Sequence, residues 1–150
     1  MAVTGNARKF FVGTTINGQM TWFSGEQNNS FTINANTIDV SDKSNNWDQF
    51  IAGSRNATAD VTIFTDDTSA QQQAIINGIM NGTTVFCFIG DIAGTGEAAT
   101  SGTPTSGTST GYAFEALVTS VGETNNRGEV SSRDMSLQVT GTPVYYSDTE

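Results

Sequence analysis

Two stretches of the sequence carry residue types that could bind a ligand, and scattered carboxylates could in principle catalyse a reaction. The stretch GTGEAA at 94–99 matches the glycine spacing of a dinucleotide-binding turn. That turn must open a helix, whereas Thr, Ser, Gly and Pro follow it here. Asp39, Asp42 and Asp48 could offer oxygens to calcium, but their spacing fits no calcium-binding loop and no Glu closes it. A carboxylate pair could hydrolyse a glycoside, yet nothing singles out one pair.

The composition excludes further classes of chemistry. The 150 residues include no His, which excludes His-based triads and most zinc sites, and one cysteine, which excludes an internal disulfide. That residue, Cys87, lies in an apolar run and is expected in the core. A net charge of −9 with six Lys and Arg argues against a surface that grips phosphates. We therefore expect no catalytic residue, no cofactor and no metal.

No apolar run approaches the roughly 18 residues of a membrane span, and the first residues contain no stretch that would serve as a secretory signal. We therefore expect neither a membrane anchor nor secretion. The length fits one domain, residues 1–150.

Alternating apolar and polar residues predict a mainly β fold. Strands are predicted at 30–35, 57–64, 112–121 and 133–141, each with one apolar face, and a more central strand at 83–90. The residues predicted to face the core are Phe31, Ile33, Ala35, Ala59, Val61, Ile63, Phe114, Ala116, Val118, Met135, Leu137 and Val139.

Two segments break the alternation. The spacing of Ala, Gln and Ile predicts one α-helix at about 68–81, with capping side chains before it and Gly82 as its stop. Its predicted apolar stripe consists of Ile75, Ile76, Ile79 and Met80. Residues 91–111 are a low-complexity run of Gly, Thr and Ser, which predicts a mobile loop.

The connection at about 41–54 combines polar residues with large apolar ones. Trp47 is flanked by Asn and Asp, and Phe50 and Ile51 follow closely. Long loops in compact domains are usually functional or disordered, and disorder does not suit these side chains. Two interpretations remain: the rings fold back onto their own domain, or they dock into a neighbouring subunit.

The segment that begins at residue 39 resembles the opening signature of the major tail tube proteins of long-tailed bacteriophages, of the lactococcal siphophage and gene transfer agent type. The resemblance spans roughly residues 16–141, and a strand, an acidic turn and a helix ending in GTTV follow the signature. Asn45 and Asn46 depart from the family, whose members often carry glycines there. The matching residues are Asp39, Val40, Ser41, Lys43, Ser44, Trp47, Phe50, Ile51, Gly53 and Arg55.

The resemblance implies a β-sandwich or barrel with one packed helix, whose copies form stacked hexameric rings. Such a tube would conduct DNA, meet a tape measure protein and a tail terminator, and belong to the virion after synthesis in the host cytoplasm. It makes the connection a subunit interface, formed by Asp39, Lys43, Trp47, Phe50, Ile51 and Arg55. Strand alternation then supplies polar candidates for the lumen, which are Asp60, Thr62, Glu115, Asp134, Ser136 and Gln138.

Other interpretations stay open. The inner tube of a contractile tail or secretion injector would share this fold. A soluble β-sandwich binding module, such as a carbohydrate binder, would be a monomer with aromatics exposed along one face, and an enzyme is the most distant alternative. The polar face could equally be an ordinary solvated surface.

Overall fold

The computed structural model describes residues 8–15, 18–23, 25–44, 46–94 and 99–147. Within these ranges, eight strands form one antiparallel sheet around a single helix, α1 (Ala70–Asn81). The strands are β1 (Lys9–Gly13), β2 (Met20–Trp22), β3 (Glu26–Asp39), β4 (Phe50–Phe64), β5 (Thr84–Asp91), β6 (Ser101–Gly102), β7 (Thr110–Thr124) and β8 (Ser132–Tyr146). Their order across the sheet is β3-β4-β8-β7-β5-β1-β2-β6.

The sheet curls until strand β3 meets β1. The Glu26 Oε1 atom accepts a hydrogen bond from the backbone N–H of Phe10 at 3.2 Å. Asn29 Nδ2 donates to the carbonyl oxygen of Arg8 at 3.0 Å. The curled sheet with one helix agrees with the predicted barrel-like β fold.

The main core fills the concave face of the curled sheet. Cys87 lies there as expected, and its burial raises the pKa of the thiol. Ile33 and Ala35 are exposed instead, because β3 continues past the end of the core. The remaining inward predictions on β4, β7 and β8 are confirmed, and these buried residues are Ala59, Val61, Ile63, Phe114, Ala116, Val118, Met135, Leu137 and Val139.

Helix α1 packs on the same concave face. It begins two residues later than the predicted 68–81, because Ser69 is the N-cap and its side chain accepts the N–H of Gln72. Gly82 ends the helix with a φ of 69°, a left-handed conformation that favours glycine. Ile75 is fully buried, but Met80 is 79% exposed, so the predicted apolar stripe extends too far.

A buried arginine joins the helix to the sheet. Arg133 on β8 donates to Gln72 Oε1 at 2.7 Å, to Asp67 Oδ1 at 2.7 Å and to Glu123 Oε1 at 2.8 Å. Gln72 is itself fully buried and donates to the Phe64 carbonyl at 3.0 Å. Every polar atom of this network that is buried therefore has a partner, as burial in a core requires.

The described part of 91–111 lies against the convex face, over β1 and β5. Ile92 is buried there in a second apolar cluster with Phe11, Met20 and Phe88. The buried Ser109 hydroxyl donates to the carbonyl oxygen of Ile92, and β6 pairs with β2. The segment is thus anchored at several points, and residues 95–98 lie outside the described part. Its mobility stays a prediction.

Candidate assembly surfaces

Strands β3 and β4 extend beyond the core as a two-stranded arm, which we define as residues 32–57. Within the described chain, β4 pairs with β8 only from Thr58 to Phe64, whereas its pairing with β3 continues to Phe50 opposite Asp39. The free part of each strand spans about eight residues, or roughly 26 Å. An isolated two-stranded hairpin is marginally stable in water, so such an arm gains from a partner surface.

The arm corrects the predicted 41–54 connection. The connection proper is residues 40–49, because both strands are longer than the alternation indicated. Phe50, Ile51 and Arg55 therefore lie on β4 rather than in a loop.

Large apolar side chains cover the arm and stay exposed. Trp47 at its tip is 80% exposed, and Phe50 is 55% exposed. Several large exposed apolar side chains gathered on one hairpin indicate an interaction site more strongly than scattered single residues do. The other exposed apolar side chains of the arm are Ile33, Ile38, Val40 and Ile51.

The tip of the arm, residues 40–49, is held by local hydrogen bonds. The Ser41 N–H donates to Asp39 Oδ1 at 2.8 Å, and the Ser44 N–H donates to Asp42 Oδ1 at 2.9 Å. Hydrogen bonds from the side chains and backbones of these two serines hold the pKa of Asp39 and of Asp42 below the usual aspartate value. The carboxylates thus shape turns, and no group of three metal-binding side chains comes together anywhere in the described ranges.

A cavity opens where the arm leaves the sheet. Beyond the pair Thr58–Gln138, β4 continues into the arm while β8 stays with β7, so the two strands separate. We call this gap the fork. Its volume is about 640 Å³, and its lining residues are Ile33, Gly53, Arg55, Asn56, Ala57, Val139, Gly141, Thr142 and Pro143.

The convex face of β3, β4 and β8 carries rows of polar side chains. Ser30, Asp60 and Ser136 stand in one cross-strand row, and the Ser136 hydroxyl donates to Asp60 Oδ1 at 2.6 Å. Thr62 pairs with Asp134 in the next row, with 2.9 Å from its hydroxyl to Asp134 Oδ1. The full rows are Asn28–Thr62–Asp134, Ser30–Asp60–Ser136 and Thr32–Thr58–Gln138.

The sixth predicted polar residue joins the same face. Glu115 on β7 is paired with Thr140 of β8. Thr140 lies an even number of residues from Asp134 and Ser136 on the same strand, so its side chain points to the same face of the sheet. Neither Lys nor Arg stands in these rows of the described strands. The structure therefore gathers all six predicted lumen candidates on one acidic and hydroxyl-rich surface.

Comparison with known proteins identifies the fold. No protein family model matches the sequence, and no curated protein matches it significantly. One similar solved structure is a chain from the tail of an empty gene transfer agent particle, which was refined with C6 symmetry. The alignment covers 97% of the present chain and 100% of that chain, with a TM-score of 0.76 and 17% sequence identity. The SPP1 tail tube aligns over 99% of this chain and 81% of its own, with a TM-score of 0.75 and 16% identity.

The chain has the tail tube fold. A chain of the anti-feeding prophage cap, described as a tube-terminating cap, is also similar, with a TM-score of 0.57 and 16% identity over 97% of this chain and 92% of its own. These alignments extend over almost the whole of the present chain, so they include the sheet and the helix described above.

Within the tail tube fold, the predicted interface residues all lie on the arm. Asp39 ends β3, Lys43 and Trp47 lie at the tip, and the rest follow on β4. The sequence did not reveal the fork, because alternation alone does not show that β4 and β8 stop pairing beyond Thr58. It also missed Ile38, which lies out of phase with Phe31, Ile33 and Ala35 because the pairing of β3 with β4 shifts register between Ala35 and Thr37.

The helix of the described ranges is too short and too polar to span a membrane.

Proposed function

We propose that this chain is the major subunit of a tail tube, in which hexameric rings stack into a conduit for DNA. The observation that carries the proposal is the near full-length alignment with a tail chain of a gene transfer agent particle that has C6 symmetry. The alignment with the SPP1 tail tube supports the same role.

The arm supplies the physical reason for assembly. A domain with a complete core has no need of exposed Trp47, Phe50 and Ile51, which cost solubility unless a partner covers them. Burying aromatic rings at the centre of an interface is the commonest source of its binding energy. We therefore assign the subunit interface to Asp39, Lys43, Trp47, Phe50, Ile51 and Arg55.

The polar rows suit the wall of a DNA conduit. Phosphate contacts from Lys and Arg are what hold DNA to a surface, and these rows present carboxylates, hydroxyls and amides. We propose that Asp60, Glu115 and Asp134 face the lumen, together with Thr62, Ser136 and Gln138. The 91–111 segment covers other strands of the convex surface, β1 and β5, which is consistent with a position outside the tube.

The role is structural rather than catalytic, and its setting is the virion, after synthesis in the host cytoplasm. At its ends a tube would meet a tape measure protein and a tail terminator, while DNA passes in transit. The alternative of an injector or contractile inner tube receives less support, since the anti-feeding prophage chains align with a TM-score of 0.57. A soluble binding module is not favoured, because the exposed aromatics gather on the arm.

Electron microscopy of the purified protein tests the proposal. We expect rings or tubes, with light scattering that rises steeply with protein concentration. A strict monomer at high concentration, with no rings in micrographs, would refute it.

A further inference from the structure

We propose that the arm tip of one copy docks into the fork of the next copy, with Trp47 in the cavity and Asp48 paired with Arg55. The proposal rests on the proposed tube function and names the contact that holds its subunits together. Donor and acceptor surfaces are both present on every copy, so one contact, repeated, is sufficient for assembly.

The fork exists because β4 changes its neighbours along its length. From Thr58 to Phe64 its second edge is occupied by β8, and the Ala57 carbonyl accepts a hydrogen bond from Gln138 Nε2 at 2.9 Å. From residue 56 back to residue 50, no strand of the described ranges pairs with that edge. Ile33, Ala57 and Val139 form the apolar part of the cavity wall, in which Ile33 is 52% exposed while Ala57 and Val139 belong to the edge of the core. A cavity of about 640 Å³ lies within the roughly 300–1,000 Å³ range of sites that enclose drug-sized molecules, so it is large enough for an indole ring.

The chemistry of the fork matches the tip. Arg55 is the one charged residue among those that line the fork. The described residues form two ion pairs, and Arg133 is the cation in each, so neither involves Arg55. Arg55 is therefore available for a carboxylate, and Asp48 stands directly beside Trp47. The tip thus presents an apolar ring beside an anion, and the fork presents a partly apolar cavity with a cation in its wall.

The contact must form between copies. Arg55 lies five residues from Phe50 along an extended strand, which is roughly 17 Å, and the tip lies beyond Phe50. Because β3 and β4 remain paired over that distance, the tip cannot bend back into its own fork. A contact between two different patches is heterologous, and repeated heterologous contacts produce closed rings or open filaments.

Reversal of one charge at a time tests the pairing. Asp48→Arg sets a cationic tip against the cationic fork, and Arg55→Asp sets an anionic fork against the anionic tip, so each variant alone should fail to form tubes. A mixture of the two variants should recover assembly. In the mixture, the cationic tip of the Asp48→Arg variant can meet the anionic fork of the Arg55→Asp variant. The unchanged Asp48 of the Arg55→Asp variant can also still pair with the unchanged Arg55 of the Asp48→Arg variant. We expect the mixture to assemble within about tenfold of the wild-type concentration, because every tip can find a fork of opposite charge.

Arg127→Asp is the matched control, since it makes the same charge change at an exposed turn and should assemble as the wild type does. Asn46→Cys combined with Thr142→Cys should cross-link between copies in tubes treated with a short bismaleimide, and the buried Cys87 should not react. Single variants that assemble normally, a mixture that stays unassembled, or absent cross-links in well-formed tubes would overturn the docking and leave the tube function standing. Wild-type protein that forms no tubes would overturn both.

Discussion

Replacing Trp47 and Phe50 together with Ser separates an interface role from a role in folding. The two rings are 80% and 55% exposed in the single copy. Because water already surrounds most of each ring, the free energy of unfolding of the monomer should change by about 0.5 kcal/mol or less.

The effect on assembly should be far larger. A fully buried aromatic side chain covers about 150–250 Å², and each buried Å² contributes about 25 cal/mol. Covering the exposed part of Trp47 is then worth about 4–5 kcal/mol and that of Phe50 about 2–3 kcal/mol, as upper values. Interface truncations commonly cost about 2 kcal/mol or more each, so we take about 4 kcal/mol for the pair. That loss raises the concentration needed for assembly about a thousandfold.

Light scattering against protein concentration measures the assembly threshold, and urea unfolding of dilute protein measures monomer stability. Met80→Ser is the matched control, because Met80 is 79% exposed on the helix, away from the arm. It should polymerise as the wild type does. A double variant that assembles at the wild-type threshold, or one that unfolds as a monomer, would show that the rings do not serve an interface.

Three further outcomes are expected. Replacing Asp60, Glu115 and Asp134 with Lys should leave the fold intact and yield tubes that retain DNA, with retention weakened by added salt; DNA delivery at the wild-type rate would place these residues elsewhere. Ile92→Ala should lower the free energy of unfolding by about 2–5 kcal/mol in urea, because the side chain is 3% exposed; no change would mean that the 91–111 segment contributes nothing to the fold. Arg133→Met should lower it by about 2 kcal/mol, chiefly through the hydrogen bond to a buried amide, and an unchanged urea midpoint would contradict the role of that network.

The sequence predicted the sheet because alternation reports directly which side chains share a face. Ala59, Val61 and Ile63 alternate with polar residues, and all three are buried. Ile33 and Ala35 show the same pattern and are exposed. Periodicity indicates a strand, but it does not tell whether the apolar face is covered by the same copy or by another.

Residues that act through distant partners could not be predicted. Gln72 sits in the first turn of the helix, where a polar residue normally faces solvent, and its partner Arg133 is 61 positions away. Composition likewise could not reveal the buried Ile92 in 91–111, because a Gly- and Thr-rich average conceals a single apolar side chain. Both cases depend on a single side chain placed by long-range topology.

Strand β4 carries both proposed surfaces, so its two halves must behave differently when a tube forms. From Thr58 to Phe64 the strand is paired on both edges, so the polar row positions are fixed before any assembly. From residue 50 to 57 it is paired on one edge, and the pairing of β3 with β4 shifts register between Ala35 and Thr37. Such irregularities bend and twist a ribbon, so the arm can adapt its direction to a neighbouring copy. The rigid half of one strand would then define the wall of the conduit, while its adaptable half takes up the differences in angle between subunits.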